Sequence, residues 1–230
     1  MATLGDRRRA RLEQARLYLI LEARPQGREP GAVLTGALRG GVDIVQLREK
    51  ELADDALVAV ARVFRSFCDE HGALFILNDR PDLVAAALAD GVHVGQGDVP
   101  VAQARAVVGA DALVGLSTHS LAEIRSADGA DYIGVGPVWA TPTKPGRPAV
   151  GLDLVRAAAA EATVPFFAIG GIDLGNAAAV VAAGATRLSV RRAISSAEDP
   201  EAAARRFRHA LSYLPRRNAV GKPTRNERGK

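Results

Sequence analysis

A single cysteine, Cys68, leaves this chain without an internal disulfide and without a thiolate metal cluster. It falls in a helical pattern with Val63, Phe64 and Phe67, so it reads as a packed thiol. Aromatic residues are few, and glycine and alanine are plentiful, which is ordinary for an α/β protein. No apolar run reaches the roughly 18 residues that a membrane helix requires. The N-terminus is basic, but no apolar segment and cleavage site follow it, so no secretory signal is expected. A cytoplasmic, membrane-independent protein is the expectation. Its 230 residues suffice for one domain with a sizeable core.

Excess negative charge is also lacking: the formal net charge is +4, which raises the question of nucleic acid. The distribution answers it. Residues 215–230 carry six cations (Arg216, Arg217, Lys222, Arg225, Arg228 and Lys230) against Glu227. Residues 1–13 carry Arg7, Arg8, Arg9 and Arg11 against Asp6 and Glu13, so the body between the two ends is net negative. The reading is a basic extension over 1–14, a catalytic domain over 15–214 and a disordered, solubilising tail over 215–230. No nucleic acid is required.

What is present is a repeated alternation. Short β-rich runs at 17–21, 44–47, 74–77, 91–94, 113–117, 132–135, 166–169 and 187–190 are expected as strands. Amphipathic stretches at 31–39, 54–70, 82–89, 101–108, 121–127, 152–160, 176–183 and 200–214 are expected as helices. Ser120 and Glu123 have capping-box spacing, and Gly40, Gly72, Gly109, Gly129 and Gly184 close helices. Eight β–α units in about 200 residues predict an α/β fold of the (β/α)8 TIM-barrel type, in a single domain. An open doubly wound sheet normally has fewer strands, and the glycine-rich dinucleotide loop is missing after the first one. Alternation along the strands points Gln46, Arg48 and Lys50 to the barrel axis, with Val45 and Leu47 outward. It also predicts Gly134 and Gly136 inward, Ile133 and Val135 outward, then Ala168 and Gly170 inward, Phe167 and Ile169 outward.

Chemistry-bearing residues cluster at the C-terminal ends of these strands. Gln46-Leu47-Arg48-Glu49-Lys50 offers two cations and an amide as a cradle for a polyanion; a solvated strand end with an Arg–Glu pair is the plain alternative. Asn78-Asp79 and Asp98 end neighbouring strands. With little histidine nearby, an oxygen-only pair suits Mg²⁺, although either aspartate could instead cap a helix beside Pro81 or Pro100. Ser117 lies on the axial side, placed to bond a phosphate or a ring substituent. His119 shares that parity and could be an acid or base, or a loop histidine with no part in catalysis. The segment 136–147 is too long and too rich in Pro and Gly for a plain connector and reads as a lid, or as a rigid surface loop. Gly170-Gly171 and the residues after the eighth strand, Arg191 and Arg192, suit a backbone phosphate nest.

In this order the segments resemble the thiamine-phosphate synthase family over about residues 16–212. The likeness rests on Gln46-Leu-Arg-Glu-Lys50, Asn78-Asp79, His93-x-Gly-Gln-x-Asp98, Gly136-Pro-x-x-x-Thr-x-Thr-Lys144 and Ile169-Gly-Gly-Ile172. The resemblance implies a transferase that condenses 4-amino-2-methyl-5-(diphosphooxymethyl)pyrimidine with a thiazole phosphate and releases pyrophosphate, with Mg²⁺ as cofactor. It implies that Gln46, Leu47, Arg48, Glu49, Lys50, Asn78, Ser117 and Lys144 hold the pyrimidine pyrophosphate. Arg48, Lys50, Ser117 and Lys144 would be the catalytic groups. Asp79 and Asp98 would bind the metal; Thr141, Pro142, Thr143, Gly171, Arg191 and Arg192 would hold the thiazole phosphate. The family commonly has an aliphatic residue and a serine where this chain has Arg191-Arg192, so Arg192 is expected to add a charged contact to the nest. A related thiazole tautomerase, which shares a Ser-x-His element like Ser117-Thr-His119, and a non-catalytic binder of thiamine intermediates are the alternatives. A homo-oligomer stays open.

Overall fold

The computed structural model describes residues 2–141 and 148–212. Eight short strands alternate with helices: β1 Leu17–Leu21, β2 Ile44–Leu47, β3 Leu74–Asn78, β4 Gly91–Val94, β5 Leu113–Thr118, β6 Tyr132–Val135, β7 Phe166–Ile169 and β8 Leu188–Val190. Each pairs in parallel with the next, and β8 returns to β1 through Leu17↔Leu188 and Leu19↔Val190, closing the barrel. The helices are α1 Leu4–Gln14, α2 Gly31–Arg39, α3 Asp54–His71, α4 Val101–Val108, α5 Leu121–Arg125, α6 Gly151–Glu161, α7 Ala177–Ala182, α8 Arg192–Ser195 and α9 Pro200–Ser212. Among the described residues no helix is long and apolar enough to cross a membrane.

Two apolar layers hold this cylinder, because parallel strands with outer helices are buried on both faces. The outer layer joins strand residues Leu19, Val45, Leu47, Ile133, Val135 and Ala168 to the helices, Cys68 of α3 included. The inner layer fills the barrel with Tyr18, Ile20, Ile44, Leu74, Ile76, Leu113, Tyr132 and Phe167. Its base is shut by Leu12 and Ala15, at the end of α1. Burying Leu12 alone contributes about 2 kcal/mol.

The basic segment expected as an extension is thus a helix over most of its length. Thr3 and Asp6 cap it reciprocally, with Asp6 N–H on Thr3 Oγ1 at 3.0 Å and Thr3 N–H on Asp6 Oδ2 at 2.9 Å. Its arginines bolt it under the barrel: Arg8 to Asp90 at 2.9 Å, Arg9 to Asp131 at 2.7 Å and Arg11 to the Gly72 carbonyl at 2.6 Å. Toward the C-terminus, α9 packs on α2 and buries Ala203, Ala204, Phe207 and Leu211. A Cβ on Gly40 would come within 2.5 Å of the Ala204 Cβ, so only glycine allows that packing.

Three expectations differ from the structure. Residues 82–89 form a 3₁₀ turn at Pro81–Leu83 and further turns, not a helix; Val84, Ala87 and Ala89 still bury, and Leu88 adopts a left-handed φ of 54°. In β7 the parity is reversed: Phe167 and Ile169 face the axis and Ala168 faces the helices. All three are apolar, so polarity could not tell the faces apart. At α5, Ser120 Oγ accepts the Glu123 N–H as expected, but the Glu123 carboxylate takes the N–H of His119 rather than of Ser120. The tail over 215–230 lies outside the described residues.

Candidate active site

The barrel opens at the C-terminal ends of its strands into a cavity of about 500 Å³. Its lining draws on all eight strands: Ile20, Gln46, Asn78, His93, Ser117, Gly134, Ile169 and Ser189 from inside, with Arg48, His119, Thr141, Gly170, Gly171, Arg191 and Arg192 around the rim. This is the end at which barrel enzymes carry their sites.

On the β2–β4 side the strand parity acts as expected. Gln46 is turned inward and almost fully buried, its Nε2 donating to the Tyr18 hydroxyl at 2.8 Å. Leu47 points its side chain outward into the helix layer, which leaves only its backbone toward the cavity. Glu49 is likewise not among the lining residues, and it folds onto its own loop by accepting the Lys50 N–H at 2.8 Å. Lys50 leaves the axis for the rim and meets Asp79 Oδ2 at 3.3 Å.

Asp79 has a φ of 61°, unusual for a residue with a Cβ, and its own N–H bonds the His93 carbonyl at 2.9 Å. That backbone sets its carboxylate between Lys50 and Asp98. Burial raises the Asp79 carboxyl above its usual range, and the charge of Asp98 adds to the rise, with Lys50 opposing both. Asp98 is exposed and accepts the Gly95 N–H at 2.8 Å. Neither aspartate caps a helix: α4 and the Pro81–Leu83 turn have no side-chain cap. Two adjacent carboxylates of which one is held above its ordinary pKa are a pair short of positive charge, which a divalent cation would supply. Among the described residues no third His, Cys, Asp or Glu completes a cluster. The pair therefore fits a hard cation such as Mg²⁺, which takes its remaining ligands from water and substrate oxygens.

Across the mouth, Gly170 and Gly171 take left-handed φ values of 97° and 65°. A Cβ on Gly171 would lie 2.7 Å from the Trp139 Cβ, and one on Gly170 would overlap Pro137, so the loop after β6 rests directly on this pair. The adjoining wall is the turn from β8 into α8. Arg191 there lines the cavity and is ion-paired to Glu22. Arg192 is exposed at the cavity edge. Pro142, Thr143 and Lys144 lie outside the described residues.

Four residues in or beneath the cavity were not anticipated: His93 and Ser189, which line it, and Tyr18 and Tyr132 below. In the sequence His93 stands out only as part of a motif, yet it lies inside the barrel with Nε2 3.0 Å from Ser117 Oγ and Nδ1 3.3 Å from the Tyr132 hydroxyl. The alternation of Gly91-Val-His-Val94, with both valines outward, was the available signal. Tyr18 and Tyr132 bond each other at 3.0 Å, and Ser189 is buried beside Tyr18 on β8. His119 lines the cavity with Nδ1 on the Gly136 carbonyl.

A closed parallel barrel whose mouth gathers cations, a carboxylate pair and a glycine-built wall is a phosphate-handling barrel enzyme. The relatives make the class specific. The family model described as thiamine monophosphate synthase matches residues 17–194. A thiamine-phosphate synthase of Streptomyces avermitilis is 51% identical over 214 residues, covering 91% of this chain and 100% of that protein. One of Thermobifida fusca is 52% identical over 208 residues, covering 88% and 95%. Among solved structures, thiamine phosphate pyrophosphorylase from Pyrococcus furiosus superposes with a TM-score of 0.80 at 32% identity, covering 90% of this chain and 98% of that one. The chain belongs to the thiamine monophosphate synthase family, and its activity is that of a thiamine-phosphate synthase, a transferase.

Proposed function

We propose that this cavity seats the aminopyrimidine methyl pyrophosphate against Gln46, Arg48, Lys50, Asn78 and Ser117, and the thiazole phosphate against Thr141, Gly171 and Arg192, with Mg²⁺ held by Asp79 and Asp98. The observation that carries the reading is the contact of Lys50 with Asp79 beside Asp98, next to a cavity that Arg48 and Asn78 line.

The reaction breaks the bond between the pyrimidine methylene carbon and its pyrophosphate oxygen. The electron pair leaves with the pyrophosphate, and the positive charge spreads over the aminopyrimidine. The thiazole nitrogen then supplies the pair that forms the new C–N bond, giving thiamine phosphate. Arg48 and Lys50 stabilise charge that grows on the leaving group, in a site partly closed from water where such contacts count for most. Asp79 and Asp98 would hold Mg²⁺, which would supply further neutralising charge to the leaving group. Gln46 orients the pyrimidine ring, and Gly134 lines the cavity between His93 and Ile169 without a side chain of its own. The glycine pair lets the backbone approach the thiazole phosphate, and Arg192 gives it a charge-assisted contact. No protein nucleophile takes part; the enzyme aligns and charges the site. Arg191, engaged by Glu22, shapes the wall rather than reaching for the phosphate. A thiazole tautomerase would leave the carboxylate pair without a task.

Incubation with both substrates, with and without Mg²⁺, followed by mass detection of thiamine phosphate and pyrophosphate, tests the reading. Product that requires Mg²⁺ is expected; equal product in a chelator would remove the metal assignment.

A further inference from the structure

Beneath the cavity runs an unbroken polar chain that reaches it at Gln46, His93 and Ser117. Gln46 Nε2 meets the Tyr18 hydroxyl at 2.8 Å, Tyr18 meets Tyr132 at 3.0 Å, Tyr132 meets His93 Nδ1 at 3.3 Å, and His93 Nε2 meets Ser117 Oγ at 3.0 Å. Both phenols are fully buried, and burial holds each hydroxyl well above its ordinary pKa, so both stay protonated. Their rings are locked edge-on against Phe167, at 5.3 and 5.8 Å. Gly115 makes the junction possible, because a Cβ there would overlap the Tyr132 ring and His93 Nδ1.

Each member has one proton to give along the chain, so the links are not independent. With Gln46 donating, Tyr18 passes its proton to Tyr132 and Tyr132 passes its own to His93 Nδ1. In the tautomer with its proton on Nε2, His93 then gives that proton to Ser117, whose hydroxyl hydrogen is left for the cavity. In this sense Gln46 turns its carbonyl oxygen to the cavity and Ser117 offers a donor. Reversing one end reverses every link.

We propose that Tyr18, Tyr132 and His93 are positioning residues that couple recognition of the pyrimidine's exocyclic amino group at Gln46 to donation toward the pyrophosphate at Ser117. The inference rests on the function proposed above. An amino group gives a proton to the Gln46 carbonyl, and the same chain sense points the Ser117 hydrogen at an anionic oxygen. A 4-oxo pyrimidine would need Gln46 to present its amide N–H, and the reversed chain would turn a Ser117 lone pair onto the pyrophosphate. One substitution on the ring is then penalised at both ends.

The test compares kcat/KM for the 4-amino pyrimidine pyrophosphate and its 4-oxo counterpart in the parent protein, Tyr132→Phe and Tyr18→Phe. Phenylalanine keeps both rings packed, and a melting curve checks that it does. Removing the Tyr132 hydroxyl frees Tyr18 to turn its proton back to Gln46, so the amino preference should fall about tenfold or more, with most of the change in KM. Should Tyr132→Phe fold poorly, Tyr18→Phe gives the same readout. A loss of activity equal for both substrates, leaving the ratio unchanged, would overturn the coupling. A parent protein that turns over neither compound would remove the functional reading and the coupling with it.

Discussion

Asp90→Asn perturbs the end of the barrel opposite the cavity. The Asp90 carboxylate accepts the Phe75 N–H at 2.9 Å, Arg65 at 2.7 Å and Arg8 at 2.9 Å, tying β3, α3 and α1 together. Side-chain exposure is only 8% for Asp90 and 10% for Arg65, so solvent screens the pair little. Asparagine keeps the shape but turns an N–H₂ group toward one of the two arginines and removes the charge facing both. Breaking a buried ion pair by altering one partner costs about 3–5 kcal/mol. Arg65 keeps Asp69 at 2.8 Å and Arg8 keeps the Asp111 carbonyl at 3.2 Å, which points to the lower end, about 3 kcal/mol. For a chain of this size that is a fall in Tm of about 6–12 °C. The pH dependence adds a second check. Burial works to raise the Asp90 carboxyl, but the Phe75 N–H and then Arg65 and Arg8 outweigh it and hold the group below its usual range. A depressed native pKa contributes stability above the unfolded value, about 3.9, and loses it as pH falls through the native one. Urea unfolding should therefore show a constant gap between parent and variant from pH 7 to about 4, narrowing below. A gap under about 0.5 kcal/mol, or one unchanged at pH 3, would refute the argument.

Other outcomes follow from the mouth. Asp79→Asn should remove most Mg²⁺-dependent turnover and weaken Mg²⁺ binding in calorimetry; unaltered binding would take Asp79 out of the metal site. Arg192→Ala should raise the KM for the thiazole phosphate about tenfold or more, the worth of one charge-assisted contact, and leave that for the pyrimidine pyrophosphate unchanged. An unchanged thiazole phosphate KM would mean that the backbone alone holds the phosphate. Gly171→Ala forces a Cβ onto a left-handed residue and against Trp139, so stability should drop by about 1–2 kcal/mol and kcat/KM for the thiazole phosphate should fall with it. Normal melting and kinetics would contradict the close approach.

The strands were legible because each is an apolar run set off by turn residues, and eight such runs leave few architectures. Parity was legible where residues differed in polarity, as at Gln46 beside Leu47, and failed at Phe167-Ala168-Ile169, where both faces are apolar. The stretch 82–89 carried a helical pattern, yet burial of Val84 and Ala87 is met by turns alone, so periodicity was not decisive. The α1 helix could have been read from the capping spacing of Thr3 and Asp6; its density of arginine obscured a helix whose partners, Asp90 and Asp131, are far away in sequence. At the site, charged motifs announced themselves. The tyrosine–histidine floor did not, because Tyr18 and Tyr132 sit inside strands where an aromatic is ordinary core, and only the closed barrel brings their hydroxyls together.

Leu12 and Ala15, corking the lower end of the cylinder, turn it from a tube into a cup. Whatever enters and whatever leaves shares one doorway. On the proposed reading a ring against Gln46 would lie deepest and the detached diphosphate would lie on the Lys50 side of the brim, so the diphosphate would have the shorter way out.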